Sequence, residues 1–231
     1  MPQLPRIAVL LDENTSGDAT RYEASKNYFR AVHGAGGSPF GIPYFLDLVD
    51  DVIADFDGLL CVGGRFAYPA DWYVEGRASL YPASERLPVE RALMEGFLNR
   101  DKPVLGICAG MQMLGCLHGC HLAPEIGLIN TAALQHDQRG FLHDVSIVPG
   151  TRLAGLLGTT TMRVNTFHRE ALADATGEAK IAAFAEDGII EAIELPSRRF
   201  AIGLQWHQEA FAGTDHPGNA VFAAFVAAAA Q

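Results

Sequence analysis

The chain has 231 residues, of which 49% are hydrophobic, and its 27 acidic and 17 basic side chains give a formal net charge of −10 at pH 7. This length and composition predict a single domain over residues 1–231 with a sizeable core. No basic run points to nucleic acid, no apolar run is long enough to span a membrane, and the N-terminal segment does not resemble a secretory signal. We therefore expect a cytoplasmic protein that binds neither nucleic acid nor membranes.

In the first half of the chain, short β-rich runs alternate with longer amphipathic segments, a pattern typical of a parallel sheet covered on both faces. The predicted strands are 6–11, 38–44, 57–64 and 103–108. The predicted helices are 18–33, 46–56, 88–100 and 109–119. Residues 65–87 contain aromatics, prolines and charges without a period, which predicts a long and functional loop. At the end of this loop, Arg86 and Glu90 are four residues apart, and we expect a solvated ion pair.

The second half of the chain contains shorter strands, several of them with alternating polarity. The predicted strand regions are 143–150, 162–168, 180–196 and 200–206. Residues 187–196 and 200–206 look like a hairpin that turns near 197–199, and residues 220–231 are predicted to form a helix packed on the domain. The pattern as a whole predicts one α/β domain, with a mostly parallel central sheet and antiparallel additions in the C-terminal half.

Cys108 lies where the strand ending at Ile107 meets the helix that follows it. The small residues Gly106, Ala109 and Gly110 allow a sharp turn there, as in a nucleophile elbow. The N-terminus of the following helix would favour the thiolate, and the N–H of Ala109 would be free to face an oxyanion. The alternative is that Cys108 is an inert buried thiol, which is the usual state of a free cysteine.

The stretch FAIGLQWHQE near the C-terminus supplies the partners that a cysteine nucleophile needs. His207 and Glu209 are two residues apart at the end of a predicted strand, so they share a face if the extended conformation continues. The carboxylate would then hold the imidazole in the tautomer that accepts a proton from sulfur. These partners favour a catalytic Cys108 over an inert one.

GICAGMQ (106–112) together with LQWHQE (204–209) resembles the class I glutamine amidotransferases. Further segments are similar to those of the stand-alone γ-glutamyl hydrolases of the γ-glutamyl-γ-aminobutyrate hydrolase (peptidase C26) type, namely AVHGAGGSPFGIPY (31–44), LLCVGGRFAYP (59–69), RVNTFHREAL (163–172) and AEDGIIEAIE (185–194). The segments follow the family order over nearly the whole chain. The resemblance implies a three-layer, flavodoxin-like class I glutamine amidotransferase fold.

The resemblance also assigns roles to individual residues. It makes Cys108 the nucleophile, His207 the general acid/base and Glu209 the residue that orients His207. The oxyanion would be held by the N–H of Ala109 together with that of Gly64 or its neighbour Gly63. Binding of the γ-glutamyl group is implied for Gln112, Asn165 and His168, although His168 is equally compatible with a structural role. No metal and no cofactor are implied.

The activity implied by the resemblance is cleavage of the γ-glutamyl amide bond of a small γ-glutamyl-amine through a thioester on Cys108. A second hypothesis is a glutaminase subunit that uses glutamine and delivers ammonia to a separate synthase. A third is a degenerate binding module, against which the intact cysteine, histidine and glutamate argue. The family alone suggests a homodimer.

The chain departs from the family pattern at several positions near these motifs. Ala109 stands where the hydrolases usually have arginine, and Gln208 stands where they have proline; neither change removes a catalytic group. Other differences touch the predicted substrate pocket and leave the identity of the amine open, at Arg65, Phe66, Arg169 and Glu170.

The stretch CLHGCH (116–121) contains residue types that bind zinc. Its spacing matches no familiar finger pattern, and no second Cys/His pair follows at a suitable distance. We therefore expect no metal at this stretch.

Overall fold

The computed structural model describes residues 3–13 and 20–231. The strands of the described residues are β1 Arg6–Leu10, β2 Asp12–Glu13, β3 Tyr22–Glu23, β4 Ser38–Ile42, β5 Gly58–Cys61, β6 Val104–Ile107, β7 Leu122–Ala123, β8 Leu142–Ile147, β9 Thr161–Asn165, β10 Ala171–Leu172, β11 Lys180–Ala185, β12 Ile190–Glu194 and β13 Ala201–Leu204. The α-helices are α1 Lys26–Gly34, α2 Val49–Asp55, α3 Arg86–Asn99, α4 Ala109–Leu117, α5 Arg152–Leu157 and α6 Asn219–Ala229.

Within the described part of the chain, nine strands form one central sheet in the order β4-β1-β5-β6-β13-β12-β11-β8-β9. Pairing is parallel from β4 to β13 and antiparallel from β13 to β9. The predicted mostly parallel sheet with antiparallel additions in the C-terminal half is therefore confirmed. The predicted hairpin is also confirmed, because β12 and β13 pair antiparallel across residues 195–200.

Helices cover both faces of the sheet and make three layers. α2, α3 and α4 pack on one face, and α1, α5 and α6 pack on the other. In β1 the side chains of Ala8 and Leu10 enter the first core, while those of Ile7 and Val9 enter the second. A strand buried on both faces explains the continuous apolar runs of the parallel strands, since both side-chain directions are covered. No helix of the described residues combines the length and the apolar character that crossing a bilayer requires.

The predicted helix over 18–33 is wrong in its first half. The helix begins at Lys26, because the side-chain oxygen of Ser25 accepts a hydrogen bond from the N–H of Asn27 and caps it. Tyr22 and Glu23 instead form β3, which pairs antiparallel with β2. Residues 14–19 lie outside the described residues.

Two further differences concern short elements and helix bounds. α5 was not predicted, since its six residues are too few to show a helical period. The helix predicted to begin at residue 88 begins two residues earlier, at Arg86, and the loop before it contains one 3₁₀ turn at Ala70–Trp72. The loop is otherwise irregular, as its sequence predicted.

Candidate active site

Cys108 connects β6 to α4 with φ 53° and ψ −103°, a conformation that costs a non-glycine residue about 1–3 kcal/mol. The strained turn is possible because the residues two positions before and after Cys108, Gly106 and Gly110, have no side chains. A Cβ on Gly106 would lie 2.4 Å from the carbonyl oxygen of Gly110, and a Cβ on Gly110 would lie 2.5 Å from that of Cys61. The backbone N–H of Cys108 donates to Leu204 O at 2.7 Å and ties the turn to β13.

His207 and Glu209 follow β13 and meet Cys108 at the same edge of the sheet. His207 Nδ1 lies 2.8 Å from Glu209 Oε1, and the imidazole and the Cys108 side chain lie on the same side of Gly63, where an added Cβ would be 2.7 Å from His207 Cε1 and 3.5 Å from Cys108 Cβ. The side chains come together because residues 208–211 form a 3₁₀ turn, whereas the sequence suggests a continuing strand. Burial opposes the charged imidazole, but the Glu209 carboxylate and the Cys108 side chain raise the pKa of His207 to about 10. His207 therefore holds a proton at neutral pH.

Asn165, at the end of β9, is bound to the backbone of His207. Its Oδ1 accepts from His207 N–H at 2.8 Å, and its Nδ2 donates to His207 O at 2.9 Å. Its side-chain amide is thus engaged in holding the histidine, although the residue also lines the cavity beside it. The sequence predicted a substrate contact for Asn165.

The N–H groups beside Cys108 differ in their availability. Gly63 N–H donates to Tyr28 Oη at 3.0 Å, so its hydrogen is already in use. Gly64 N–H and Ala109 N–H have no acceptor among the described residues. The geometry therefore favours Gly64 over Gly63 as the partner of Ala109. Gly63 acts through its size instead, because a Cβ there would lie 2.7 Å from His207 Cε1.

Tyr28, on α1, is a site residue that the sequence did not reveal. Its hydroxyl lies 3.4 Å from His207 Nδ1, in addition to accepting from Gly63. Burial and the negative charge of Glu209 raise the pKa of Tyr28 well above its usual value, so the hydroxyl keeps its proton. No local motif marks this tyrosine, which is 179 residues away from His207 in sequence.

Arg86 holds the loop that carries these glycines. Its guanidinium donates to Val62 O and to Gly63 O at 2.9 Å, as well as to Asp12 Oδ1 at 3.1 Å. Nε and Nη2 donate to both carboxylate oxygens of Glu90, at 2.8 and 3.0 Å. Both side chains of this pair are 0% exposed, so the predicted solvated pair is wrong. The pair is buried because the guanidinium packs against the backbone that follows β5, where it binds the carbonyls of Val62 and Gly63.

A cavity of about 630 Å³ opens in front of Cys108 and His207. Its wall contains carboxylates of Asp12, Glu13 and Glu23 and guanidinium groups of Arg65 and Arg139. The cavity therefore presents both signs of charge to a bound molecule.

Gln112 and His168 lie behind the cavity wall and do not line it. The buried Gln112 amide donates to Glu170 O at 2.9 Å and to Gln205 Oε1 at 3.1 Å. The buried His168 imidazole places Nδ1 3.0 Å from Glu170 O. In this structure both side chains support the wall, and the substrate-binding roles implied for Gln112 and His168 stay predictions.

Two of the departures at the pocket share one partner, and a third, Phe66, lies apart from them. Arg65 and Arg169 both pair with Asp137, and the Arg65 guanidinium lies 4.2 Å from the ring centre of Phe167. Phe66 is buried, and its ring centre lies 5.1 Å from the guanidinium carbon of Arg86.

Glu170 and Gln208, which also depart from the family pattern, contact other parts of the fold and do not line the cavity. Glu170 accepts from Tyr73 Oη at 3.0 Å and from Ser79 Oγ at 2.6 Å, which fastens the 65–87 loop. Gln208 accepts from the Trp206 indole at 2.9 Å and donates to Asn219 Oδ1 at 3.1 Å, linking the 3₁₀ turn at 208–211 to α6.

The remaining cysteines, Cys61, Cys116 and Cys120, are free and buried. Burial raises the pKa of each of these thiols, which keeps them protonated and unreactive. Within CLHGCH, Nδ1 of His118 lies 3.0 Å from the backbone oxygen of Leu114.

Comparison with known proteins identifies the family of the chain. The family model for Peptidase C26 matches residues 6–209. A glutamine amidotransferase-like protein of Rickettsia prowazekii (RP404) is 27% identical, with 89% of each chain covered. Gamma-glutamyl-gamma-aminobutyrate hydrolase of Escherichia coli O157:H7 is 27% identical, over 89% of this chain and 85% of the relative.

The fold is also similar to that of a solved structure from Thermoplasma acidophilum, which bears the name of a GMP synthase subunit. The TM-score is 0.66 at 18% sequence identity, with 99% of this chain and 95% of the other covered. This likeness shows a class I glutamine amidotransferase fold.

Proposed function

The chain belongs to the peptidase C26 family and is a hydrolase that acts on amide bonds, and we propose that it cleaves the γ-glutamyl amide bond of a small γ-glutamyl-amine through a thioester on Cys108. The observation that carries this proposal is the contact between Cys108, on its strained turn, and His207, whose Nδ1 lies 2.8 Å from Glu209. A thiolate beside an imidazolium is an activated nucleophile.

In the proposed reaction, the sulfur of Cys108 attacks the γ-carbonyl carbon while His207 holds the proton. The resulting oxyanion is stabilised by the N–H groups of Ala109 and Gly64. Collapse of the tetrahedral intermediate breaks the C–N bond, and His207 gives its proton to the leaving amine. A water molecule then gives a proton to His207 as it attacks the thioester, which releases glutamate and restores the thiolate.

The charges of the cavity support a substrate with an α-amino acid head group. Arg65 and Arg139 suit an α-carboxylate, while Asp12, Glu13 and Glu23 suit an ammonium group. Relatives named γ-glutamyl-γ-aminobutyrate hydrolase act on a γ-glutamyl amide, which agrees with this assignment.

A second candidate is a glutaminase subunit that delivers ammonia to a separate synthase. The observation that favours it is the fold similarity to the Thermoplasma acidophilum protein, whose name is that of a GMP synthase subunit. The two candidates share the chemistry at Cys108 and differ in the amine released and in the need for a partner. A non-catalytic binding module is disfavoured by the assembled Cys108, His207 and Glu209.

The test is release of glutamate by the purified chain from a panel of γ-glutamyl amides that includes glutamine. We expect activity without a second protein, a γ-glutamyl adduct on Cys108 in quenched samples, and loss of both in Cys108→Ala. Cys116→Ala is the matched control, because that thiol is buried on the same helix away from the cavity. Unchanged activity in Cys108→Ala would reject the mechanism. Cleavage of glutamine alone, and only with a synthase present, would select the second candidate.

A further inference from the structure

A cluster of buried ionisable side chains lies outside the catalytic group. It consists of His136, His143, His168 and Glu191, and we call it the histidine cluster. Each of these residues is at most 3% exposed. His143 Nε2, His168 Nε2 and both carboxylate oxygens of Glu191 have no hydrogen-bond partner among the described residues. Unpartnered buried polar atoms are costly, so four of them converging on one point require an explanation.

The outer nitrogen of each imidazole is engaged with an oxygen. His136 Nε2 lies 2.9 Å from Asp187 Oδ2, and His143 Nδ1 lies 3.3 Å from Asp144 O. His168 Nδ1 lies 3.0 Å from Glu170 O. A backbone carbonyl can only accept, so these Nδ1 atoms carry the hydrogen. A metal-ligating histidine almost always has such an outer partner, which fixes its tautomer.

The inner nitrogens of His143 and His168, in these tautomers, hold lone pairs that face Glu191, whereas His136 Nδ1 also lies 3.3 Å from Thr166 Oγ1, whose hydroxyl donates to His136 O. His136 Nδ1 and His168 Nε2 each lie 3.3 Å from Glu191 Oε1, and His143 Nε2 lies 3.6 Å from the same oxygen. Lone pairs on two nitrogens and a carboxylate repel one another unless a cation, either a metal ion or a protonated His136, lies among them. The arrangement therefore calls for a cation at the centre of the cluster.

The dimensions suit a transition-metal ion. Bonds of about 2.0–2.1 Å from a tetrahedral zinc ion to nitrogen and oxygen place neighbouring ligand atoms about 3.3 Å apart. The nitrogen-to-oxygen distances in the cluster are 3.3–3.6 Å, and the ligand atoms of His136, His143 and Glu191 lie within 4.8 Å of one another. Modest inward movement of the rings would complete the coordination.

We propose that the histidine cluster binds one divalent transition-metal ion of the zinc class, with His136, His143 and Glu191 as ligands and His168 as the fourth. Asp187 acts as the outer partner that orients His136. Three imidazoles and one carboxylate fill a tetrahedral site, which makes it structural and leaves no open position for substrate.

The site would fasten one wall of the catalytic cavity. Arg139 and Gly140 line the cavity and lie between the ligands His136 and His143 in sequence. Thr166 and Phe167 also line it and come directly before His168. The metal would join these segments to β12 through Glu191, and so hold the cavity wall without taking part in the reaction.

Metal content of the purified wild-type chain is the first test, and its readout is independent of activity. After expression with added zinc and removal of loose metal, we expect about one zinc ion per chain by plasma emission spectroscopy. Removal by a chelator should lower the melting temperature, and added Zn²⁺ should restore it. Substitution with Co²⁺ should give the visible absorption bands of tetrahedral cobalt.

Variants assign the metal to these residues. Glu191→Gln and His143→Ala should each lower the metal affinity by about tenfold or more, and Asp187→Ala should lower it by about 10–100-fold through His136. His121→Ala is the control, because that exposed histidine pairs with Asp174 outside the cluster. It should keep the wild-type metal content.

Wild-type protein that retains no metal and shows no change in melting temperature with added Zn²⁺ or Co²⁺ would overturn the proposal. The cluster would then be a metal-free network in which His136 pairs with Glu191 and Asp187. Equal metal loss in His121→Ala and Glu191→Gln would also overturn it, since the binding would then be at the surface. None of these outcomes depends on whether γ-glutamyl amides are the substrates.

Discussion

Asn165 and His207 are joined in both directions, with the asparagine amide accepting from the histidine N–H at 2.8 Å and donating to its carbonyl at 2.9 Å. Because both polar atoms of the amide are used, Asn165 fixes the backbone that carries the proposed general acid. It connects β9, in the antiparallel half of the sheet, to His207, three residues after the end of β13. We therefore propose Asn165 as a positioning residue for His207.

Replacing Asn165 by alanine should lower kcat and leave KM nearly unchanged. Displacement of His207 by a fraction of an ångström to an ångström is expected to cost about 10–100-fold in kcat. Steady-state kinetics on the best γ-glutamyl amide measure both constants, and circular dichroism checks the fold. The opposite result, a raised KM with an unchanged kcat, would return Asn165 to the substrate-binding role that its sequence predicted.

Arg86 should contribute to stability far more than an exposed arginine on the same helix. Arg86→Met leaves the carboxylate of Glu90 buried without a partner, and we expect a loss of about 3–5 kcal/mol in the free energy of unfolding. Arg91→Met is the matched control, since Arg91 forms an i,i+4 pair with Glu95 on the same helix that is 53% and 45% exposed. We expect it to cost no more than about 1 kcal/mol by urea denaturation.

The double variant Arg86→Met/Glu90→Leu separates stability from function. Removing both charges should restore much of the stability, because the fully buried Glu90 carboxylate is no longer left unpaired and Asp12, which also loses Arg86, is 27% exposed. It should not restore kcat, because Val62 O and Gly63 O still lack their donor and the loop carrying Gly64 is free to move. Wild-type kcat in a stable double variant would show that these carbonyl contacts do not position the oxyanion site.

Gly63 should tolerate no side chain. A Cβ there would lie 2.7 Å from His207 Cε1 and 3.5 Å from Cys108 Cβ, so Gly63→Ala is expected to push the imidazole away and lower kcat by about 100-fold or more. The control is Gly155→Ala in α5, where nothing lies within 4 Å of the added methyl group. It should keep activity and gain up to about 1 kcal/mol of stability. Activity of Gly63→Ala within a few-fold of wild type would contradict the packing argument.

The sequence predicted the features that depend on short segments. The turn at Cys108 follows from Gly106 and Gly110, whose absent side chains leave room for backbone contacts. The alternation of strands and helices predicted the parallel half of the sheet, since both faces of those strands are apolar. His207 and Glu209 were also identified together, although a 3₁₀ turn brings them into contact.

The features that the sequence did not predict depend on contacts between distant segments. Tyr28 reaches His207 across 179 residues, and no spacing rule connects a helical tyrosine to a histidine after the last strand. Arg86 and Glu90 have the spacing of a surface pair, and their burial depends on the position of the loop after β5. The histidine cluster is likewise assembled by strand pairing, which places His143 of β8 near β9 and β12.

The charges around His207 make its protonation sensitive to Glu209. Burial lowers the pKa of His207, but the opposite effects of the Glu209 carboxylate and of Cys108 are larger. The pKa of His207 is therefore raised to about 10. Tyr28, the other ionisable group in contact, keeps its proton because its own pKa is raised. The proton needed by the leaving amine is therefore present below about pH 10 and is lost as the pH rises through that value.

Replacing Glu209 by glutamine should move the alkaline limb of the pH–rate profile to lower pH. The amide keeps the size of the side chain but removes the negative charge that raises the pKa of His207. The lowering effect of burial then dominates, and the pKa of His207 falls towards or below the usual 6.5. We expect the limb of kcat/KM to shift by about one pH unit or more, measured from pH 6 to about pH 10.5. Glu95→Gln, on the exposed face of α3, should leave it in place. An unshifted limb in Glu209→Gln would mean that His207 does not set it.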